Sequence, residues 1–159
     1  MTGTTITYLE LTDPAQIVAP ARQPVGWRVQ EVHRPALNER LYKEIGRDFK
    51  WTDRLPWTAE EWTAHAARVQ TWLLVPEGGG DVAGFYELDV RDGAAEVAIF
   101  GLLPAARGLG LGGVLLTHAL RRALERAPRV WLHTCTDDDP HALANYGARG
   151  LRVYDVVQG

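Results

Sequence analysis

A chain of 159 residues and 17.6 kDa that is 46% hydrophobic and 23% charged has the size and composition of one globular domain, which excludes a disordered, collagen-like or coiled-coil polymer. Its 17 basic and 20 acidic side chains leave a formal charge of -3 and none of the basic surplus that non-specific nucleic-acid binding needs. A single cysteine, Cys135, excludes an internal disulfide and a multi-cysteine zinc site; with no signal-peptide pattern and no apolar run of roughly 20 residues, a cytoplasmic protein without membrane or nucleic-acid partners is expected.

In chain order, alternation predicts a short strand at Thr5–Leu11, after which the Pro-rich stretch from Pro14 to Pro24 reads as an irregular connection. A second strand is expected over Trp27–His33. Pro35 opens a helix that runs to about Arg47, with Leu37, Leu41 and Ile45 recurring on one face. Thr58 and Glu61 form a capping-box pair that starts a second helix, ending near Val69. Strands at Thr71–Val75, Val82–Val90 and Ala95–Leu103 follow, joined into an antiparallel meander by turns at Gly78-Gly79-Gly80-Asp81 and Arg91-Asp92-Gly93. From Leu109 to Ala127 one helix face carries Leu116, Leu120, Ala123 and Ala127, and the other carries His118, Arg121, Arg122 and Glu125. A strand at Arg129–Cys135, a short helix at Pro140–Arg149 stopped by Gly150, and a strand at Leu151–Val157 complete the chain. This order predicts a mixed α/β fold, a mostly antiparallel central sheet flanked by helices, in a single domain over residues 1–159.

The most informative stretch is Arg107-Gly108-Leu109-Gly110-Leu111-Gly112-Gly113, between a strand and the long amphipathic helix. A glycine-rich strand-to-helix turn aims backbone N–H groups at one point and adds the positive end of the helix dipole, which makes a phosphate cradle. Gly108, Gly110 and Gly113 also spell the dinucleotide-binding G-x-G-x-x-G. That reading requires the motif after the first strand and an acidic residue roughly 20 positions later, and Pro128 to His133 contains no carboxylate. A Walker A loop is excluded because no Lys-Ser or Lys-Thr pair follows. A turn that only packs helix on sheet would not require so many glycines, given their entropic cost.

Arg107-x-x-Gly110-x-Gly112 resembles the Q/R-x-x-G-x-G/A signature of the GNAT superfamily of acyl-CoA-dependent N-acyltransferases. Downstream, the stretch from Ala142 through Tyr146 to Gly150-Leu151 resembles that superfamily's A-x-x-x-Y-x-x-x-G-F, with Leu151 in place of Phe. The resemblance spans roughly Trp27 to the C-terminus and leaves residues 1–26 outside as an N-terminal extension. It implies acetyl-CoA or a related acyl-CoA as donor and a primary amine of a small molecule or peptide as acceptor. It places the donor's pyrophosphate on the N–H groups of Arg107, Gly108, Leu109, Gly110, Leu111, Gly112 and Gly113. The pantetheine arm would then lie along Phe100, Gly101, Leu102 and Leu103, with the Leu102 N–H facing the thioester oxygen. Tyr146 takes the position of the tyrosine that protonates the leaving sulfur; the alternative is an ordinary packed helix tyrosine. Glu96 stands where one branch of the superfamily carries its base, and alternation would put it on one face with Ala98 and Phe100, lining the acceptor cleft or meeting solvent. Asp139 falls where relatives carry a pantetheine-binding Asn, although a residue directly before Pro140 also reads as a helix N-cap.

Other residues carry competing readings. Glu87 and His133 are reserve bases inside apolar strand runs, with His133 more naturally a hydrogen-bonded core histidine. Asp137 and Asp138 could attract a cationic amine but read first as a solvated acidic loop. The segment from Phe49 to Trp57 could form an acceptor pocket, whereas Trp51, Trp57, Trp62 and Trp72 read as a packing cluster. The set His133, Cys135 and His141 lacks the spacing of a metal site, and none is expected. Acetyl transfer within a ternary complex is the leading reading. A CoA-binding sensor without turnover, or an acyltransferase using another donor, is the alternative, and a homodimer is the default assembly.

Overall fold

The computed structural model describes residues 3–159. Seven strands, β1 (Thr5–Leu11), β2 (Trp27–Val32), β3 (Gln70–Pro76), β4 (Gly84–Arg91), β5 (Ala94–Leu102), β6 (Arg129–Cys135) and β7 (Arg152–Gln158), form one sheet in the order β2-β3-β4-β5-β6-β1-β7. Only β5 and β6 pair in parallel, so the sheet is the mixed, mostly antiparallel one expected. Helices α1 (Pro35–Gly46) and α2 (Ala59–Arg68) cover one face; α3 (Leu111–Arg126) and α4 (Ala142–Ala148) cover the other.

Local chemistry accounts for most element boundaries. Thr58 accepts the Glu61 N–H while the Glu61 carboxylate accepts the Thr58 N–H, so both halves of the capping box form. Leu37, Leu41 and Ile45 are buried against Leu73, Val75 and Phe85 as their spacing requires. Asp92 and Gly93 both adopt positive φ, the geometry that matches a tight hairpin to strand twist. Two helices start later than expected: α3 begins at Leu111 rather than Leu109, and α4 at Ala142 rather than Pro140. Gly108 and Gly110 hold left-handed φ values of 80 and 77, which delays α3 and keeps its first amides outside the helical ladder.

Two features of the sheet position the site. The first is β1, which lies outside the resemblance in sequence yet inserts between β6 and β7 in space, burying Leu9 and Leu11 in the α3-side core. The second is a gap between β5 and β6. Their parallel register covers only Ala94–Glu96 against Arg129–Trp131. Beyond it, a bulge on β5 opposite Glu87 and Leu88 inserts Ala98 and turns the strand. The two strands separate from that point, leaving backbone groups of β5 without a neighbouring strand.

Candidate active site

The glycine turn sits at the wide end of this gap. Between Gly108 and Gly113 no N–H donates to a side chain or to a loop carbonyl among the described residues, and the first three residues of α3 have no intrahelical acceptor to use. Gly110 caps α3 with φ 77 and no side-chain bond. A Cβ on Gly112 would make ordinary contact with Asn145 Nδ2 at 3.5 Å and Leu102 Cδ1 at 3.8 Å, so this position lies between α4 and the end of β5. Arg107 departs from the expected row of free amides. Its N–H donates to the Pro104 carbonyl at 3.3 Å. Its guanidinium donates to Asp48 at 2.8 Å and to the Leu102 carbonyl at 3.1 Å, with the ring of Phe49 4.6 Å away. Arg107 therefore clamps the end of β5 to the C-terminus of α1, and the amides without an acceptor among the described residues run from Gly108 to Gly113.

Along the gap, the Leu103 N–H donates to the Ala83 carbonyl at 2.8 Å. Alternation then turns the N–H groups of Leu102 and Phe100 away from β4 and toward the opening, consistent with the Leu102 carbonyl turning the same way to Arg107. Gly101 is enclosed from the α1 side by Ile45 and Trp51. Tyr146, on α4, packs edge-on against Phe100 with ring centroids 6.3 Å apart; the residue is buried and its hydroxyl bonds no described residue. Burial first, then the neighbouring Asp138 and Asp139, push its phenol well above the ordinary tyrosine value. Asp139 Oδ1 accepts the His141 N–H at 2.9 Å, a local turn bond rather than the expected N-cap, because α4 starts at Ala142 with His141 at its N-cap and no side-chain cap bond.

Glu96 lies on the other face. The bulge at Ala98 breaks the alternation, so Phe100 and Leu102 join Val97 in the α3-side core while Ile99 packs with Phe85 on the α1 side. Glu96 therefore does not share a face with Phe100, and the gap passes between the face of Glu96 and that of Tyr146. Its carboxylate opens on a groove of about 540 Å³ lined by Asp89, Arg91, Arg129, Trp131 and Tyr154. Burial raises the Glu96 carboxyl above the ordinary glutamate value and Asp89 adds to the rise, against the pull of His133, Arg54 and Arg68.

Glu87 is fully buried and fully engaged. It accepts from His65 Nε2 at 2.7 Å, Arg54 at 3.0 Å and Asn38 Nδ2 at 2.8 Å. Burial alone would raise its carboxyl; the His65 hydrogen bond and the Arg54 charge outweigh that and hold it below the ordinary value. A carboxylate so saturated braces the fold and has no free lone pair for an amine proton. His133 is exposed rather than in the core, stacked loosely with Tyr8 and Trp131.

The segment between α1 and α2 forms a strap over the gap. Trp51 Nε1 donates to Asp138 Oδ1 at 2.7 Å, and Asp138 Oδ2 accepts from Thr134 and the Cys135 N–H. Asp138 is thus a structural acceptor, not a solvated charge. Arg54 lies among the rings of Tyr42, Trp57 and Trp62, 5.0 to 5.8 Å from their centroids. Trp72 stands apart from Trp51, Trp57 and Trp62, on the opposite face, stacked with Tyr86 at 6.3 Å. Among the described residues no helix is long and apolar enough to cross a membrane, and no three His, Cys, Asp or Glu side chains gather to hold a metal.

A family model described as "Acetyltransferase (GNAT) family" matches residues 38–151. The chain belongs to the GNAT acetyltransferase family. Within it, the chain is 33% identical over 118 residues to a mycothiol acetyltransferase of Kineococcus radiotolerans, covering 73% of this chain and 37% of that protein. It is 34% identical over 87 residues to the mycothiol acetyltransferase of Streptomyces bingchenggensis, covering 53% of this chain and 28% of that one. The chain thus spans roughly a third of the length of these relatives. In fold it resembles a GCN5-related N-acetyltransferase from Kribbella flavida, with TM-score 0.68 and 24% identity over 98% of this chain and 58% of that chain. A tandem GNAT protein from the clavulanic acid biosynthesis pathway aligns with TM-score 0.58 and 19% identity, over 98% of this chain and 53% of the other. GNAT enzymes use acetyl-CoA as cosubstrate, and the free amides of Gly108–Gly113 beside an open strand edge suit a diphosphate with an extended arm.

Proposed function

We propose that residues 1–159 work as one N-acetyltransferase domain in the cytoplasm, moving an acetyl group from acetyl-CoA to the primary amine of a small molecule or peptide in a ternary complex. The observation that carries this reading is the row of unengaged amides from Gly108 to Gly113 at the mouth of the gap between β5 and β6. The names of the curated relatives make an amine related to mycothiol the first acceptor to assay.

Acetyl-CoA supplies the acyl group already activated as a thioester. The chain's amides at Gly108–Gly113 hold the diphosphate at the positive end of α3, with Asp139 beside the pantetheine path. The Leu102 N–H opposes negative charge as it develops on the carbonyl oxygen. Glu96, through water in the groove, accepts the amine proton, and its raised carboxyl brings it closer to the pH at which a base is effective. Tyr146 donates its O–H to the departing sulfur. The proton passes to that sulfur, so CoA leaves as the thiol, and the phenolate recovers a proton from solvent.

Thiol release from acetyl-CoA across an amine panel tests the reading, with pH dependence assigning the base. The acid limb of kcat/KM is expected above the ordinary glutamate value of about 4.3, because raising the carboxyl means activity appears only as pH climbs through that higher value. Glu96→Gln is expected to remove this limb and lower kcat/KM about 100-fold or more. An identical profile in the variant would release Glu96 from the role. CoA binding without turnover for any amine would instead indicate the sensor.

A further inference from the structure

Arg107 spends Nε on the Leu102 carbonyl and Nη1 on Asp48, with Nη2 buried and unpartnered, and a second arginine stands at the glycine turn. Arg149 closes α4 and lies against the first turn of α3: a Cβ on Gly113 would collide with its Nη1 and lie 3.5 Å from its Cζ. The backbone fixes it there. Its N–H donates to the carbonyls of Asn145 and Tyr146, its carbonyl accepts the Val18 N–H at 2.9 Å, and Gly150 follows with φ 104. Pro20 presses on the same spot, 2.8 Å from that Cβ position, so the N-terminal extension holds Arg149 and Gly113 together.

Its electrostatics lack a counterpart within the chain. Arg149 Nε is buried and has no partner among the described residues, and a cation beside the N-terminus of a helix faces the positive end of the dipole. Such a pairing is repulsive until an anion sits between the two. A guanidinium offers planar, paired N–H donors, which suit two phosphoryl oxygens better than a point charge does. We infer that Arg149 is the side-chain ligand of the donor's diphosphate, closing over the amides of Gly108–Gly113 from the α4 side. This rests on the acyl-CoA reading. It assigns the charge at the cradle to the residue before Gly150 and gives the N-terminal extension a part in donor binding.

Calorimetry on the wild-type chain, Arg149→Gln and Arg149→Lys, with CoA and with pantetheine, which lacks the diphosphate, separates the possibilities. Arg149→Gln is expected to weaken CoA roughly 10- to 100-fold, the range for a hydrogen-bonded charge. Arg149→Lys should recover part of the loss, and pantetheine should bind all three chains alike. Should Arg149→Gln not fold, Arg149→Lys carries the same comparison with a smaller expected loss. Equal CoA affinity in the wild type and the variants overturns the assignment while leaving the donor reading intact. A loss that is equal for pantetheine also overturns it, since the effect then passes through the fold. A wild-type chain that binds no CoA overturns both.

Discussion

Replacing Tyr146 with Phe is expected to lower kcat for thiol release roughly 100- to 10,000-fold, the range for a positioned proton donor, with little change in CoA affinity. The ring packs on Phe100 and stays packed in the variant; only the hydroxyl is lost, and that hydroxyl bonds no described residue. A tyrosine kept only for packing would lose almost nothing, because nothing in the protein would be left unpaired. Since burial raises the phenol above its ordinary value, the group stays protonated across the neutral range. The wild-type rate should therefore show no alkaline limb from this residue near pH 10. Stopped-flow or continuous thiol detection at saturating amine measures both. A change within a few-fold would return Tyr146 to the core.

The largest effect on stability is expected at Glu87. Glu87→Gln leaves the Arg54 guanidinium in the aromatic enclosure without its countercharge, and removing one member of a buried pair costs about 3–5 kcal/mol. For a domain of this length that corresponds to a fall in Tm of roughly 10 °C. The sign with pH follows from the lowered carboxyl. Its contribution is present above the unfolded-chain value of about 4.3 and is lost as pH falls through the lower native value, so the variant should lose part of the wild type's acid sensitivity. Thermal melts from pH 3 to 7 check this. The double variant Glu87→Leu with Arg54→Met should recover much of the loss, because apolar replacements of a buried pair are often neutral. If the double variant is no more stable than Glu87→Gln, the network contributes more than charge balance.

Much of this architecture is legible in local sequence. The capping box at Thr58 and Glu61, the apolar face of Leu37, Leu41 and Ile45, and the positive-φ turn at Asp92-Gly93 are each encoded by neighbours within a few positions. What escapes is whatever depends on partners distant along the chain. Nothing in Thr5–Leu11 says that it threads between β6 and β7. Arg107 matches a motif, but its side chain goes to Asp48, a residue from α1's end that no spacing rule connects to it. Asp138 looks like part of a solvated acidic run until Trp51 is brought across the gap to it. At Glu96 the period of two is itself misleading: one extra residue at Ala98 exchanges the faces of everything that follows. Arg149 carried no signal in the pattern, since its position before Gly150 gains meaning only once Gly113 and Pro20 are seen against it.

Amide resonances read the cradle most directly. In a titration of the isotope-labelled chain followed by 15N–1H correlation spectra, CoA should move the signals of Gly108, Gly110, Gly112 and Gly113 saturably and downfield, as N–H groups do on gaining an anionic acceptor, while pantetheine leaves them in place. Saturable shifts elsewhere on the sheet with these four glycines unmoved would mean that the diphosphate is held by other atoms, and the site built around this turn would be wrong.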